Sequence, residues 1–166
     1  KRQDLLIEAL GLVGGRLPFH VTMIGSGATR DAVERRRDAL GLTRAVEIRP
    51  FMAQEALWQS MARADLLCHP CDYEGVSKII LEAMMVGLPV LASDVAPLSD
   101  YVIEGETGFR VANTPEAWAD RLMALAADKS LLPPVSARAR AFVEERYAMG
   151  RNLELYAARF AALAPG

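Results

Sequence analysis

The 166-residue sequence has few cysteines, little net charge and no long hydrophobic run. A formal net charge of −2 provides no broad positive field, which argues against binding nucleic acid or an anionic membrane through overall charge. No apolar stretch reaches the roughly 20 residues that a membrane-spanning helix needs, and no signal peptide is visible. The basic run Arg35-Arg36-Arg37 is predicted to be a solvated helix face. The sequence starts with Lys1 instead of Met, so we expect a piece of a longer chain.

The two cysteines form a C-x-x-C pattern, Cys68-His69-Pro70-Cys71. In an α/β protein this pattern can be a redox dithiol. Such a dithiol needs its first thiol at a helix N-terminus, where the thiol pKa is lowered, whereas Cys68 is predicted to end a buried strand. Asp72 and Glu74 also disfavour a thiolate nearby, and a zinc site would need two more ligands. We expect incidental cysteines and keep a thiol redox protein as an alternative function.

Predicted strands alternate with predicted helices of about ten residues. The strands are expected at 19–24, 46–51, 66–69, 90–92 and 109–111. The helices are expected at 3–13, 28–40, 54–63, 77–87, 97–103, 115–127, 137–146 and 149–162, with Pro133-Pro134 as a turn between two of them. In the helix at 54–63, Leu57, Trp58 and Met61 are expected to point inward. This alternation predicts one α/β domain over residues 1–166, a doubly wound, Rossmann-like parallel sheet with helices on both faces.

The stretch 74–82 holds two carboxylates, Glu74 and Glu82, at the start of a predicted helix. Ser77 is a good N-cap residue, and the backbone N–H groups of residues 75–77 are expected to be free to bind a phosphate. Lys78 and Glu82 lie four residues apart on the only polar face of a helix expected to be buried. A plainer interpretation stays open, in which Lys78 and Glu82 form a surface ion pair and Glu74 complements the helix dipole.

Another glycine-rich turn, Gly25-Ser26-Gly27, lies between a predicted strand and a predicted helix. This arrangement is typical of a phosphate-binding loop, but it also fits an ordinary tight βα turn. The sequence by itself leaves both interpretations open.

Six short motifs follow one another in a specific order. They are Lys1, Gly25-Ser26-Gly27, Pro70-Cys71-Asp72-Tyr73-Glu74-Gly75, Leu81-Glu82-Ala83-Met84, Gly87-Leu88-Pro89-Val90 and Gly105-Glu106-Thr107-Gly108. Jointly they resemble the C-terminal, donor-binding domain of the retaining group 1 glycosyltransferases, which have the two-domain GT-B fold and a Glu-x7-Glu motif. The chain is thus expected to be one half of a GT-B architecture, without the N-terminal acceptor domain.

The resemblance implies a set of site residues. Glu74 is the catalytic acid expected near the reacting carbon of the donor sugar, and the donor-binding residues are Lys1, Gly25, Arg49, Phe51, Gly75, Val76, Ser77 and Glu82. Lys1 falls where the family binds the diphosphate, and Glu82 where it binds the ribose hydroxyls. The segment 49–51 falls where backbone groups hold the base, and Gly25 lines the floor under the nucleotide. Residues 75–77 offer backbone N–H groups to the sugar or the diphosphate.

The implied function is transfer of a hexose from a nucleoside-diphosphate sugar, UDP- or GDP-linked, to a polysaccharide or lipid-linked glycan with retention of anomeric configuration. The expected role is bacterial cell-surface polysaccharide synthesis in the cytoplasm, with membrane contact only through the absent domain. No metal or cofactor is expected, because Lys1 and a helix N-terminus provide positive charge for the leaving group. The isolated domain is expected to bind nucleotide weakly and to transfer nothing. The domain's central first strand is expected ahead of Lys1.

The sequence departs from the family pattern at several positions. Arg2 replaces a Gly, Val76-Ser77 replaces Phe-Gly, Cys71 replaces a Ser, and Asp100 stands for a Glu. Because of these changes, the sequence does not determine which sugar is transferred. A nucleotide-sugar epimerase on the same scaffold and an inactive nucleotide-sensing module remain alternative functions.

Overall fold

The computed structural model describes residues 1–147, and the helix predicted at 149–162 lies outside them. Five strands form two parallel sheets. The first sheet pairs β1 (Val21–Ile24) with β2 (Val46–Arg49), and the second has the order β3 (Leu67–His69), β4 (Val90–Ser93), β5 (Phe109–Val111). The predicted α/β class with parallel strands is therefore confirmed. Strands β1, β2 and β3 are one or two residues shorter than predicted, β4 is one residue longer, and β5 has the predicted range.

The two sheets follow the strand order of a doubly wound fold, β2-β1 and then β3-β4-β5. Within residues 1–147, however, no strand pairs with both β1 and β3, so the expected sheet is divided into two parts. Arg2 donates its backbone N–H to the carbonyl of Pro70 at 3.0 Å, which places the beginning of the chain just beyond the carboxyl end of β3. A central strand ahead of Lys1 stays a prediction.

Within residues 1–147, six α-helices cover the sheets. They are α1 (Gln3–Val13), α2 (Arg30–Ala39), α3 (Gln54–Met61), α4 (Lys78–Met85), α5 (Pro115–Ala127) and α6 (Leu132–Tyr147). Short 3₁₀ turns occupy Gly14–Arg16, Ala96–Asp100 and Lys129–Leu131, so the helix predicted at 97–103 is a 3₁₀ turn. The prediction of a turn at Pro133-Pro134 is wrong, because both prolines lie in the first turn of α6. Backbone N–H groups in the first turn of a helix have no acceptor within the helix, so proline is tolerated there.

Two apolar clusters lie on the two sides of β4. Helices α1, α2 and α5 contribute to one cluster, together with Val135 at the start of α6, and this cluster includes Leu91 of β4. Helices α3, α4 and α6 contribute to the other, which includes Val90 and Ala92 of the same strand. Since neighbouring residues of a strand point to opposite faces, the second sheet is covered on both sides, as predicted. None of the helices in the described part of the chain is long and apolar enough to cross a membrane.

Two predictions about buried faces are wrong. Trp58 was expected to point inward with Leu57 and Met61, yet its side chain is 44% exposed. Helix α4 was expected to be buried nearly all round, but Met85 and Val86 at its end are also exposed. Both helices are covered on only one side, so a run of apolar residues extends beyond the buried stripe.

Candidate functional site

The loop after β3 contacts the beginning of the chain. Lys1 forms an ion pair with the Glu74 carboxylate, and its Nζ lies 3.2 Å from Nε2 of His69. The Arg2 side chain donates to Asp72 at 2.9 Å and holds the same loop from the other side. The structure thus brings together the cation and the acid that the sequence places 73 residues apart.

His69 lies at the centre of this cluster and was missed as a site residue in the sequence. It is the last residue of β3 and only 7% exposed, and its Nε2 lies 3.2 Å from Glu74 Oε2 and 3.4 Å from Ser77 Oγ. Burial, followed by the neighbouring Lys1 ammonium, lowers the pKa of His69 to about 4. The imidazole is therefore neutral at pH 7 although a carboxylate is adjacent, because burial disfavours its charged form. Its position at a strand end is the only signal that the sequence contains.

We expect the buried His69 to make the fold sensitive to acid. Unfolded His69 binds a proton near its ordinary pKa of 6.5, whereas the folded one does so only near pH 4. The unfolded state therefore binds more protons in this window, so the free energy of unfolding falls as the pH drops from 6.5 to 4, by up to about 3 kcal/mol. Urea denaturation at several pH values measures this slope. The matched variant His69→Gln keeps a side-chain N–H donor without titrating, and an equal slope in both proteins would contradict the assignment.

The turn before α4 is fixed by one hydroxyl group. The Ser77 backbone N–H donates to Tyr101 Oη at 2.9 Å, and the Tyr101 hydroxyl donates to the Gly75 carbonyl at 3.1 Å. The expectation that the Ser77 N–H is free to bind a ligand is therefore wrong, because this N–H already donates to the Tyr101 hydroxyl. Ser77 occupies the N-cap position, but its side chain makes no capping bond to α4.

Two of the three predicted N–H groups remain available. Gly75 and Val76 are exposed, and their amides donate to no acceptor within residues 1–147. A Cβ on Gly75 would meet nothing within 4 Å, so the backbone here is open to a ligand. These amides, the Lys1 ammonium and the Glu74 carboxylate form a polar surface beyond β3 with both signs of charge.

Glu82 lies on the next turn of α4 and is held by two side chains. Its Oε2 accepts a hydrogen bond from Gln54 Nε2 at 3.0 Å, and its Oε1 lies 3.4 Å from Lys78 Nζ. The Glu82 side chain is 14% exposed, whereas that of Lys78 is 82% exposed. The plain surface pair expected from the i,i+4 spacing is therefore present, but Glu82 is much less solvated than such a pair requires.

The remaining predicted residues lie at the carboxyl ends of β1 and β2. Gly25 donates its N–H to the Arg49 carbonyl at 3.0 Å, and its φ of +142° is a conformation that favours glycine. The Arg49 side chain forms an ion pair with Glu47 at 2.8 Å. Phe51 is 80% exposed, so its ring is free to contact a ligand.

A cavity of about 160 Å³ joins Lys1 to the helix that follows the Gly25-Ser26-Gly27 turn. Thr29, Val33 and Arg36 line it from the side of α2. Gln3 and Asp4 line the cavity from the side of α1. Lys1 therefore contacts the β3 loop through Glu74 and also borders a cavity beside α2.

The two cysteines lack the properties of a redox pair. Both thiols are free, and burial raises the pKa of Cys68 to about 12. Burial also raises the pKa of Cys71, which is 0% exposed. A redox dithiol needs an accessible thiolate near neutral pH, so the geometry argues against that alternative.

Comparison with known proteins gives consistent matches. The family model for glycosyl transferases group 1 matches residues 1–143. A D-inositol 3-phosphate glycosyltransferase of Nocardia farcinica is 39% identical over 148 residues, covering 84% of this chain and 33% of its own length. A GDP-mannose-dependent alpha-(1-6)-phosphatidylinositol monomannoside mannosyltransferase of Mycolicibacterium smegmatis is 31% identical over 122 residues, covering 69% of this chain and 32% of its own. The chain spans about a third of the length of these curated relatives.

Solved structures agree on the fold. Sucrose-phosphate synthase from Thermosynechococcus elongatus superposes with a TM-score of 0.82 at 27% identity, over 94% of this chain and 42% of its own. WaaG, a glycosyltransferase involved in lipopolysaccharide biosynthesis, superposes with a TM-score of 0.73 at 27% identity, and the match covers 87% of this chain and 39% of WaaG. Anabaena HepE in complex with UDP-glucose superposes with a TM-score of 0.87 at 23% identity, and the match covers 98% of this chain and 45% of HepE.

Proposed function

This chain belongs to the group 1 glycosyltransferases, and we propose that it is the donor-binding half of an enzyme that transfers a hexose from a nucleoside-diphosphate sugar with retention of anomeric configuration. The observation that supports this most directly is the cluster of Lys1, His69 and Glu74 beyond the carboxyl end of β3. Ligands of doubly wound proteins bind at that edge of the sheet. A cation and a carboxylate in contact there match the two charges that develop when a glycosyl diphosphate breaks.

The charges of the reaction suit these groups. As the glycosidic C–O bond breaks, the sugar carbon becomes electron-poor and the departing diphosphate gains negative charge. Lys1 and the free amides of Gly75 and Val76 would bind the diphosphate, while Glu74 would stabilise the positive sugar carbon. Lys1 forms an ion pair with Glu74, so a bound diphosphate would compete with that carboxylate for the ammonium group. No metal or cofactor is needed for this step as we propose it.

We further propose that Glu82 binds the ribose. Its carboxylate is acceptor-only, and two oxygens match the two hydroxyl groups of a diol. Arg49 and Phe51, five and three residues before α3, are proposed to hold the base, and Gly25 is proposed to line the surface beneath the nucleotide. HepE is described in complex with UDP-glucose, and the mycobacterial relative is described as GDP-mannose-dependent; both support a nucleoside-diphosphate sugar, and the base stays open between UDP and GDP.

The acceptor is proposed to be a polysaccharide or a lipid-linked glycan, consistent with a role in building bacterial cell-surface polymers from the cytoplasmic side. The names of the relatives support a polyol or glycolipid acceptor, since they include inositol 3-phosphate and a phosphatidylinositol mannoside. Lipopolysaccharide biosynthesis, the context of WaaG, points in the same direction. The acceptor would bind to a second domain outside this chain.

Glu82→Ala is the direct test of nucleotide binding. Loss of hydrogen bonds to a charged acceptor is expected to weaken binding of UDP or GDP by about 1.5–3 kcal/mol, which is roughly 10- to 150-fold in Kd. Isothermal titration of the complete protein with UDP, GDP and ADP measures it. Glu55→Ala, an exposed acid in the first turn of α3, is the matched control. Unchanged affinity in Glu82→Ala, or no binding of any nucleotide to the parent protein, would overturn the proposal.

A further inference from the structure

Gln54 links the segment after β2 to the helix that contains Glu82. It is the first residue of α3, five residues after Arg49 at the end of β2. Its side-chain amide reaches across to α4 and donates to Glu82 Oε2 at 3.0 Å. Because a carboxylate only accepts hydrogen bonds, the NH₂ group of Gln54 must face it. No resemblance or spacing in the sequence singles out this residue.

The contact determines how the Glu82 carboxylate is oriented. The terminal torsion of a glutamate is broad, so an unrestrained carboxylate turns freely about its last bond. A hydrogen bond to one named oxygen restricts that rotation. The other neighbour, Lys78, is at 3.4 Å on a side chain that is 82% exposed, and such surface pairs are weak and screened by salt. Gln54 is also exposed, but its hydrogen bond is the shorter of the two contacts at 3.0 Å and, unlike an ion pair, it is directional. Gln54 is therefore the group that fixes the plane of the carboxylate.

We propose that Gln54 is a positioning residue for ribose recognition. By holding Oε2, it leaves the remaining lone pairs of Glu82 directed toward the ribose hydroxyls of the nucleotide. It also ties the segment 49–53, proposed to hold the base, to the acid proposed to hold the ribose, so that both parts of a nucleoside meet a prearranged surface. This inference rests on the proposed role of Glu82.

A comparison of ribonucleotide with deoxyribonucleotide binding tests whether Gln54 positions Glu82 for the ribose or only supports the fold. Binding of UDP and GDP is compared with that of dUDP and dGDP in the complete protein, by isothermal titration. The parent protein is expected to prefer the ribonucleotide. Gln54→Met, which keeps the length of the side chain without its donor, is expected to reduce that preference by about three- to tenfold, equivalent to one ordinary hydrogen bond. Affinity for the deoxynucleotide changes less.

The matched control is Gln59→Met, the same change at an exposed position of the same helix, and it is expected to leave the preference unaltered. Glu82→Gln distinguishes the possible failures. If Glu82→Gln removes the preference and Gln54→Met does not, the inference is overturned while the proposed function stands. If Glu82→Gln has no effect either, the ribose role of Glu82 fails and the inference fails with it. Equal melting temperatures of the two methionine variants show that the fold is intact.

Discussion

Glu74→Gln in the complete enzyme is expected to lower kcat for sugar transfer by about 10²- to 10³-fold, the usual loss when one group that stabilises transition-state charge is removed. The amide has the shape of the carboxylate but no negative charge to offer the sugar carbon. The nucleotide should still bind, because Lys1 is released from its ion pair with Glu74 and becomes available to the diphosphate. Initial rates and nucleotide titration together measure this difference between chemistry and binding.

Glu116→Gln provides a control for the loss of one negative charge, since Glu116 lies exposed in the first turn of α5. It should leave kcat within about twofold, as expected for a surface position. A Glu74→Gln enzyme that keeps its kcat, or one that loses nucleotide binding and transfer in equal measure, would be inconsistent with a carboxylate that acts on the reacting carbon.

Trp118→Ala is expected to destabilise the fold by about 3–5 kcal/mol, the cost of deleting a large aromatic side chain from a packed core. Trp118 is 0% exposed and lies on α5, which packs against α1 in the first apolar cluster. Its indole N–H has no partner within the described residues, so the loss comes from packing alone. Urea denaturation followed by circular dichroism measures the change.

The chain contains its own control, because its second tryptophan lies at the surface. Trp58 is 44% exposed on α3, so Trp58→Ala removes less buried apolar area and should cost clearly less than Trp118→Ala. Trp118→Phe should fall between the parent protein and Trp118→Ala, since it retains most of the buried area and loses no hydrogen bond. Similar losses for both alanine variants would contradict the assignment of the core.

Local sequence patterns predicted the secondary-structure elements well where those patterns were strong. Helix α1 has the predicted bounds, Gln3–Val13, because its apolar residues recur every three to four positions and glycines follow it. The pattern failed at Pro133-Pro134, because proline interrupts a helix in its interior but is tolerated in its first turn. It also failed at Trp58, because periodicity reports which face is apolar but not how much of that face a neighbour covers.

The candidate site was only partly predictable, for a different reason. The contact of Lys1 with Glu74 depends on how the beginning of the chain lies against the loop after β3, which no local pattern encodes. The family resemblance placed the two residues in one site. Tyr101 and Gln54 bond to backbone or side chains 24 to 28 residues away. A tyrosine or glutamine in the sequence has no feature that reveals such a partner, so both were found only in the folded chain.

The hydroxyl of Tyr101 has a thermodynamic consequence for whatever binds before α4. Its two hydrogen bonds restrain the backbone on both sides of Val76, so the proposed diphosphate would meet a turn that is already ordered. Ordering a free backbone costs about 1–2 kcal/mol per residue, and here that entropy was lost when the chain folded. If the proposed donor binds here, its association would carry a smaller entropic penalty than binding to an unrestrained glycine-rich loop.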